Sequence, residues 1–412
     1  MTVYSVNAAG GKSILTDDST TPFGVLTERR VRDVSNEICL LDSNNTALLT
    51  LLRKLRSKKS VDPKFSWFED IFPAQTTTPS GTDCTTDVTI AVDTGTGKLG
   101  RANDLWLNTD SGEVFIIESV TADNWTVVRG IGGTTAVDMV STDNLQYIGN
   151  AQDQGATARA QLVTQVAEVT NYCQIFKEPF EVTGTTNATK LFGGPDLVYL
   201  RQKHGQIHNR DIERMLWFGV KADLISGDMG TINNEVYTSK GLLADGTNGF
   251  LTTNTSAANS SGEYTEDEFE TDLQTAFRYG NSVKFCFASP TAVSTINGWG
   301  RAGLRVVPRA NTWGVNITRY VSAHGELNII NNKLFSDMSG SGTVWAAGLN
   351  FTECAVILDL EYLWFRYLRN TMLEQGIQAT DQDSIEEQYL TECGLMCKEE
   401  KRHMDIYGFR QS

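Results

Sequence analysis

The sequence predicts an α+β fold carrying a small inserted all-β domain, and three observations predict it. Short strands separated by turn residues fill the stretch from about 81 to 150, an unbroken helical pattern runs from Pro195 to about Ala222, and residues 351–412 return to apolar strands. A chain of 412 residues exceeds one compact core and divides into roughly two to four folding units. With 40% hydrophobic and 21% charged residues it is globular, and 36 glycines with abundant Thr, Asn and Ser favour strands and turns.

Residues 1–60 read as an N-terminal arm followed by the first helices. Up to residue 26 the chain carries Gly, Ser, Thr and Asp without apolar periodicity, the pattern of an arm that orders only against a neighbour. Val31, Val34, Ile38 and Leu41 then recur at helical spacing, and Leu48, Leu49, Leu52 and Leu55 make a second short helix. It runs into Arg53-Lys54-Leu55-Arg56-Ser57-Lys58-Lys59, a dense basic run. A solvated helix end favoured by the macrodipole explains this run as well as a contact with an acidic neighbouring subunit or with nucleic acid does.

Residues 61–190 read as an extended loop containing a β-barrel-like insertion at about 81–150. Lys64 to Phe72 and Gln161 to Val182 are rich in strand formers. Between them Val88 to Val92, Leu105 to Leu107, Val114 to Ile117 and Trp125 to Gly130 are short strands whose spacing suits a small barrel or sandwich set into a long hairpin. This insertion is acidic, with ten Asp/Glu against three Lys/Arg between Thr82 and Gly149.

Residues 191–264 hold a spine helix and loops. Pro195 occupies a first-turn position, Gly205 and Gly219 are the breakers before Ala222, and Leu197, Leu200, Ile212 and Met215 share one face. At ~1.5 Å per residue this helix would be roughly 40 Å long and cross a domain as a backbone. Gly227 to Gly262, with Asp245-Gly246 and Asn248-Gly249, reads as exposed hairpin and loop. Residues 265–350 form an α/β unit: an acidic-capped helix from Thr265 to Tyr279, a strand over Val283 to Phe287, a short helix from Ser289 to Trp299, and strands over Trp313 to Tyr320 and Glu326 to Ile330. Residues 351–412 supply closing strands at Ala355 to Asp359 and Leu363 to Leu368, then a polar tail from Asn370 to Asp383 that leads to Tyr389 to Leu395 and Ile406 to Gly408.

The formal charge of −15 argues against tight, sequence-reading nucleic-acid binding, which needs clustered Lys and Arg. Seven scattered cysteines (Cys39, Cys84, Cys173, Cys286, Cys354, Cys393 and Cys397) suit a reducing compartment rather than a disulfide framework. Met1 to Thr16 lacks the apolar core of a secretory signal, and Cys354 to Phe365, broken by Asp359 and Glu361, falls short of the ~20 residues that span a bilayer. A protein made and used without export, and without a membrane partner, is expected.

Searches for chemistry find no catalytic, cofactor-binding or metal site. His204 and His208 stand four apart as metal ligands do, yet Gly205 stands where a zinc protease carries its glutamate, and both rings share the face of Leu197 and Met215; they read as core or interface histidines. Cys393, Cys397 and His403 do not have finger or ribbon spacing and read as buried thiols beside a lone histidine. Gly10-Gly11-Lys12-Ser13 and Gly95-Thr96-Gly97-Lys98 are fragments of a phosphate loop and read as turns. Asp381 with Asp383, and Glu386 with Glu387, are acidic pairs of an ordinary exposed kind, so an enzyme is not expected.

Taken in order, the pieces resemble the tailed-bacteriophage major capsid proteins of the Hong Kong 97 fold, and within them the podovirus-like group. The resemblance rests on Asn36-Glu37-Ile38, Leu48-Leu49-Thr50-Leu51-Leu52, Lys64-Phe65-Ser66-Trp67-Phe68-Glu69, Glu178-Pro179-Phe180-Glu181-Val182-Thr183-Gly184, Arg210-Asp211-Ile212-Glu213 and the closing strands, and covers most of the chain from Val31 on. It implies an N-arm, an extended β loop, a spine helix, an axial domain (265–350) and a peripheral domain (191–264 and 351–412). It also implies self-assembly into hexamers and pentamers of an icosahedral shell around double-stranded DNA. The implied partners are further copies, a portal protein, a separate scaffolding protein, a decoration or cement protein, and packaged DNA met without sequence-specific contacts. The expected location is the virion capsid, assembled in the host cytoplasm. A phage tail or adhesion protein and an encapsulin-type shell are the alternative readings.

Overall fold

The computed structural model describes residues 46–81, 87–189, 195–224, 235–243, 248–257, 264–303, 306–308, 317–337 and 351–409. The arm of residues 1–26 and the helix expected across Val31 to Leu41 lie outside them. The chain divides into two compact units, one of residues 1–65 with 171–412 and one of residues 66–170.

The first described helix, α1 (Ala47–Leu55), buries Leu48, Leu49, Leu51 and Leu52 and ends in the basic run. That run continues as strand β1 (Ser57–Lys59). Strand β2 (Lys64–Glu69) buries Phe65 and Trp67 and exposes the residues between them, the alternation of a strand with one covered face.

Residues 66–170 contain a closed barrel of six short strands: β3 (Thr76–Thr77), β4 (Thr89–Ala91), β5 (Asp104–Asn108), β6 (Val114–Thr121), β7 (Asn124–Val128) and β8 (Leu145–Asn150). They pair in the order β3-β8-β5-β6-β7-β4. The ends then meet: Ser80 N–H donates to Ala91 O at 2.9 Å, Asp93 N–H donates to Thr78 O at 3.0 Å, and Pro79 bridges Val92. Alternate residues turn inward and fill the barrel, among them Ile90, Trp106, Phe115, Ile117, Trp125, Val127 and Leu145. The Trp106 and Trp125 rings lie 4.8 Å apart, and the Trp125 indole donates to Gly97 O at 2.9 Å. At one end the buried Glu113 carboxylate takes a two-pronged contact from Arg129, at 2.9 and 2.7 Å. Residues 70–74 and 151–166 lie outside any helix or strand.

The chain returns through β9 (Ala167–Tyr172), which pairs with β2, and continues as β10 (Gln174–Thr183), α2 (Gly184–Ala188) and α3 (Asp196–Phe218). The short strands β11 (Ala222–Leu224), β12 (Val236–Thr238) and β13 (Thr255–Ala257) precede α4 (Glu266–Ala276). Then follow β14 (Val283–Ala288), α5 (Pro290–Gly303), β15 (Val306–Pro308), β16 (Ile317–Val321), β17 (Glu326–Asn331) and α6 (Leu334–Asp337). The closing strands are β18 (Cys354–Leu358), β19 (Leu363–Gln375), β20 (Ser384–Cys397) and β21 (Met404–Tyr407). Helix α4 starts on a reciprocal cap: Thr265 Oγ1 accepts from Glu268 N–H while the Glu268 carboxylate accepts from Thr265 N–H.

Two sheets organise the larger unit. A four-stranded sheet runs β1-β19-β20-β10, and a seven-stranded sheet runs β13-β21-β18-β14-β17-β16-β15. Helices α4 and α5 cover one face of the seven-stranded sheet, where Phe269, Leu273, Ala292 and Ile296 pack on Cys286, Ile329, Ile357 and Ile406. Residues 351–412, expected to close one peripheral sheet, divide between the two: β19 and β20 join the four-stranded sheet, and β18 and β21 join the seven-stranded one. The polar tail expected from Asn370 to Asp383 is also corrected. Asn370 to Gln375 belong to β19, and only residues 376–383 turn the hairpin. Polar composition hid this strand because β19 carries two irregularities, between Tyr367 and Arg369 and between Arg369 and Met372, which break the alternation that marks a strand in sequence.

The barrel depends on its tryptophans. Trp125→Ala removes a fully buried ring and the bond to Gly97, and is expected to cost the barrel roughly 3–5 kcal/mol. Urea unfolding followed by near-ultraviolet dichroism checks this; an unchanged midpoint would show that the barrel core is not what holds this unit.

Candidate functional site

Helix α3 is the element on which the larger unit is built. It starts after Pro195, one residue later than a first-turn proline would place it, and ends at Phe218, short of the expected Ala222. Gly219 explains the stop: a Cβ there would lie 2.4 Å from Ser239 O, so only glycine lets the segment of Gly241 cross. That segment satisfies the last carbonyls of the helix, with Gly241, Leu242 and Leu243 N–H donating to Gly219 O, Leu216 O and Trp217 O at 2.7, 2.9 and 2.7 Å.

The N-terminal half of α3 lies on the four-stranded sheet. Arg201 grips Glu387 of β20 with two bonds of 2.7 and 2.5 Å, and His204 Nδ1 lies 2.7 Å from Glu178 Oε1 of β10 while its ring stacks on Phe180. Tyr389 lies beside Gly205, and its hydroxyl donates to Arg201 O at 3.0 Å. His208 is buried and its Nε2 lies 2.6 Å from Thr391 Oγ1. Thr391 donates onward to Thr371 Oγ1 at 2.8 Å, so the imidazole is the donor through Nε2–H. Burial and the nearby Arg53 hold the His208 pKa below its ordinary value, which keeps the ring neutral. The C-terminal half of α3 packs on the seven-stranded sheet, with Trp217 5.3 Å from Phe287 of β14 and 4.9 Å from Phe335 of α6.

Helix α1 is fixed to α3 by a buried carboxylate. Thr46 stands at the N-cap of α1 and makes no side-chain cap bond. Glu213 of α3 serves instead: its two oxygens accept from Leu48 N–H at 3.1 Å and Leu49 N–H at 2.6 Å, and Oε1 also accepts from the Trp217 indole at 3.0 Å. Burial pushes the Glu213 carboxyl up to about 7, against the pull of these donors and of Arg53 toward the ionised form. Arg53 itself donates to Asn209 of α3 at 3.0 Å and to Thr371 of β19 at 2.9 Å, and its guanidinium lies over Phe365. Arg56 lies over Trp364, and Ser57 to Lys59 pair parallel to Phe365 to Tyr367. Arg53 and Arg56 of the basic run are therefore structural, while Lys54, Lys58 and Lys59 stay exposed.

The other constellations are likewise built into the fold. Cys173, Cys286, Cys354, Cys393 and Cys397 are buried free thiols, and burial pushes Cys173 and Cys286 up to about 12, far from a reactive thiolate; Cys39 and Cys84 lie outside the described residues. His403 is buried with Nδ1 accepting from Asp359 N–H at 3.1 Å, and burial beside Lys284 pushes it down to about 3. The N–H groups of Gly95 and Gly97 already bond to the Asp123 carboxylate, so this turn does not cradle a phosphate; Gly10 to Ser13 lie outside the described residues. Glu386 and Glu387 point to opposite faces of β20, and Asp381 and Asp383 sit in the hairpin turn. Among the described residues no group of three or more His, Cys, Asp or Glu side chains is placed to hold a metal ion, and no helix is long and apolar enough to cross a membrane. Lys284 carries no mark in the sequence, yet it is buried and its ammonium donates to Ala276 O, Tyr279 O and Arg402 O at 2.6, 2.8 and 2.6 Å.

The chain belongs to the SU10 major capsid protein family, whose model matches residues 15–409. A curated relative, the major capsid protein of Pseudomonas phage PaMx41, is 24% identical over 281 residues, which cover 66% of this chain and 63% of the relative, a little under two thirds of its length. Among solved structures, the capsid of Myoviridae Phage XM1 aligns with a TM-score of 0.45 at 8% identity, covering 93% of this chain and 99% of that one. The holo-SrpI encapsulin complex from Synechococcus elongatus PCC 7942 aligns with a TM-score of 0.41 at 10% identity, covering 60% and 79%.

Three substitutions test the frame. Arg201→Ala leaves the buried Glu387 carboxylate without its partner and is expected to cost roughly 2–3 kcal/mol, whereas Glu387→Ala frees an arginine that reaches water and costs less. Urea titration of both variants checks the order; equal costs would contradict it. For Glu213, a folded pKa raised from 4.5 to about 7 means that the stability it contributes is complete below pH 4.5 and is lost as pH rises through 7. Glu213→Gln cannot ionise, so the wild type should lose on the order of 3 kcal/mol relative to the variant across that window. Parallel unfolding curves of the two proteins at each pH would contradict the assignment.

Proposed function

We propose that this chain is the shell subunit of a tailed phage, assembling with its own copies as hexamers and pentamers into an icosahedral capsid around double-stranded DNA, on a Hong Kong 97-like fold. The observation that carries this reading is the exposure of apolar side chains on the two segments that lead into and out of the barrel, which meet where Thr164 Oγ1 donates to Asp70 at 2.8 Å: Phe72 is 95% exposed, Phe68 71% and Val163 71%. A single soluble chain has no reason to display such side chains together, and copies packed side by side would cover them. Family membership over residues 15–409 points the same way.

On this reading α3 is the spine helix, the seven-stranded sheet the axial domain, the four-stranded sheet the peripheral domain, and residues 61–190 the extended loop with its inserted barrel. The role is structural rather than enzymatic, in the virion after assembly in the host cytoplasm. A portal protein, a separate scaffolding protein and a decoration or cement protein are the further partners, and DNA is met without sequence reading, in keeping with the charge of −15.

Electron microscopy of the purified protein, with scaffold supplied if required, tests the proposal. Closed polyhedral particles of megadalton mass are expected. Tubes would indicate a tail protein, and small oligomers alone would overturn the shell. Phe72→Asp should leave the melting temperature of the unassembled chain unchanged and sharply reduce the yield of particles, because the altered side chain touches solvent until copies meet.

A further inference from the structure

We propose that α4 is a contact between copies of this chain, in which a basic cavity at its C-terminal end receives Asp267 from the first turn of α4 in a second copy. The proposal rests on the shell reading above and adds a particular pair of charges to it.

An open cavity of about 460 Å³ is lined by Gln274, Thr275, Phe277, Arg278 and His324. Two basic side chains converge there, with an amide and a hydroxyl beside them. The Arg278 guanidinium rests 5.5 Å from the centre of the Tyr279 ring, a cation–π contact that restrains it beside the cavity. Arg278 forms no ion pair among the described residues and is exposed. At the other end of the helix the first turn carries Glu266, Asp267 and Glu268. Glu268 is engaged by Thr265, while farther along Glu270 and Asp272 take the hydroxyls of Tyr320 and Tyr264, so Asp267 is the exposed carboxylate at this end. Eleven residues of helix place Asp267 roughly 16 Å from Arg278, so the two cannot meet within one chain. The macrodipole favours acid at the start and base at the end of any helix, but it does not require a cavity at the basic end. A carboxylate is the ligand that suits a guanidinium flanked by an imidazole and an amide, and a second copy supplies one in a fixed position.

Particle assembly of the full-length chain, followed by light scattering against protein concentration, tests this. Arg278→Glu and Asp267→Lys should each raise the concentration needed for assembly by about tenfold, since like charges would then face each other at every repeat of the contact. The double variant, with the charges exchanged, should return to within about threefold of the wild type. Single variants that assemble as the wild type does would overturn the proposal. So would a double variant that melts like the wild type yet fails to recover. If the double variant melts lower, Arg278→Gln and Asp267→Asn read the same contact without reversal, and no rise in the assembly concentration for either would overturn it. A wild type that forms no particles would remove the shell reading and this contact together, whereas normal particles from the single variants would remove the contact alone.

Discussion

The larger unit depends on one buried carboxyl group. Glu213 closes the N-terminus of α1 from a helix 165 residues away in sequence, doing for α1 what its own N-cap residue does not. Because the same side chain also holds Trp217, the anchor of α1 and the packing of α3 on the seven-stranded sheet share a single atom, Oε1. Arg53 then ties α1 to β19 and to α3, so the helix that leads out of the N-terminal region, the spine and the closing hairpin are set as one piece.

Long-range ties of this kind also mark the limit of what the sequence discloses. The apolar spacing of Leu48, Leu49 and Leu52, the capped start at Thr265 and the turn-punctuated strands of the barrel are local signals, and each element formed where they indicated. The closing region was legible as strands but not as two sheets, because partner choice is made by β10, β14 and β17, far away in the chain. Polar residues at Asn370 to Gln375 looked like loop, since the irregularities of β19 turn Thr371 inward to Arg53 and Thr391 and spoil the two-residue period. His204 and His208 lie against the four-stranded sheet on the helix face they share with Leu197 and Met215, but their partners Glu178 and Thr391 carry no mark in the sequence.

Charge is distributed with a similar economy. Residues 66–170 hold 14 carboxylates against 4 Lys and Arg. Three of those four cations are drawn into contacts with buried acids: Arg129 with Glu113, and Arg101 and Arg159 with Asp104. The barrel interior is thus neutralised at the expense of its outside, which is left strongly anionic and well hydrated.

Closure of that barrel has a consequence for crowding. In the shell proposed above, many copies of one chain would meet at very high local concentration, where an open strand edge would invite identical edges to zip together in the wrong register. Six short strands that meet end to end through Pro79 and Val92 offer no such template. The unit can therefore stand among its own duplicates as an inert neighbour, leaving recognition between copies to side chains.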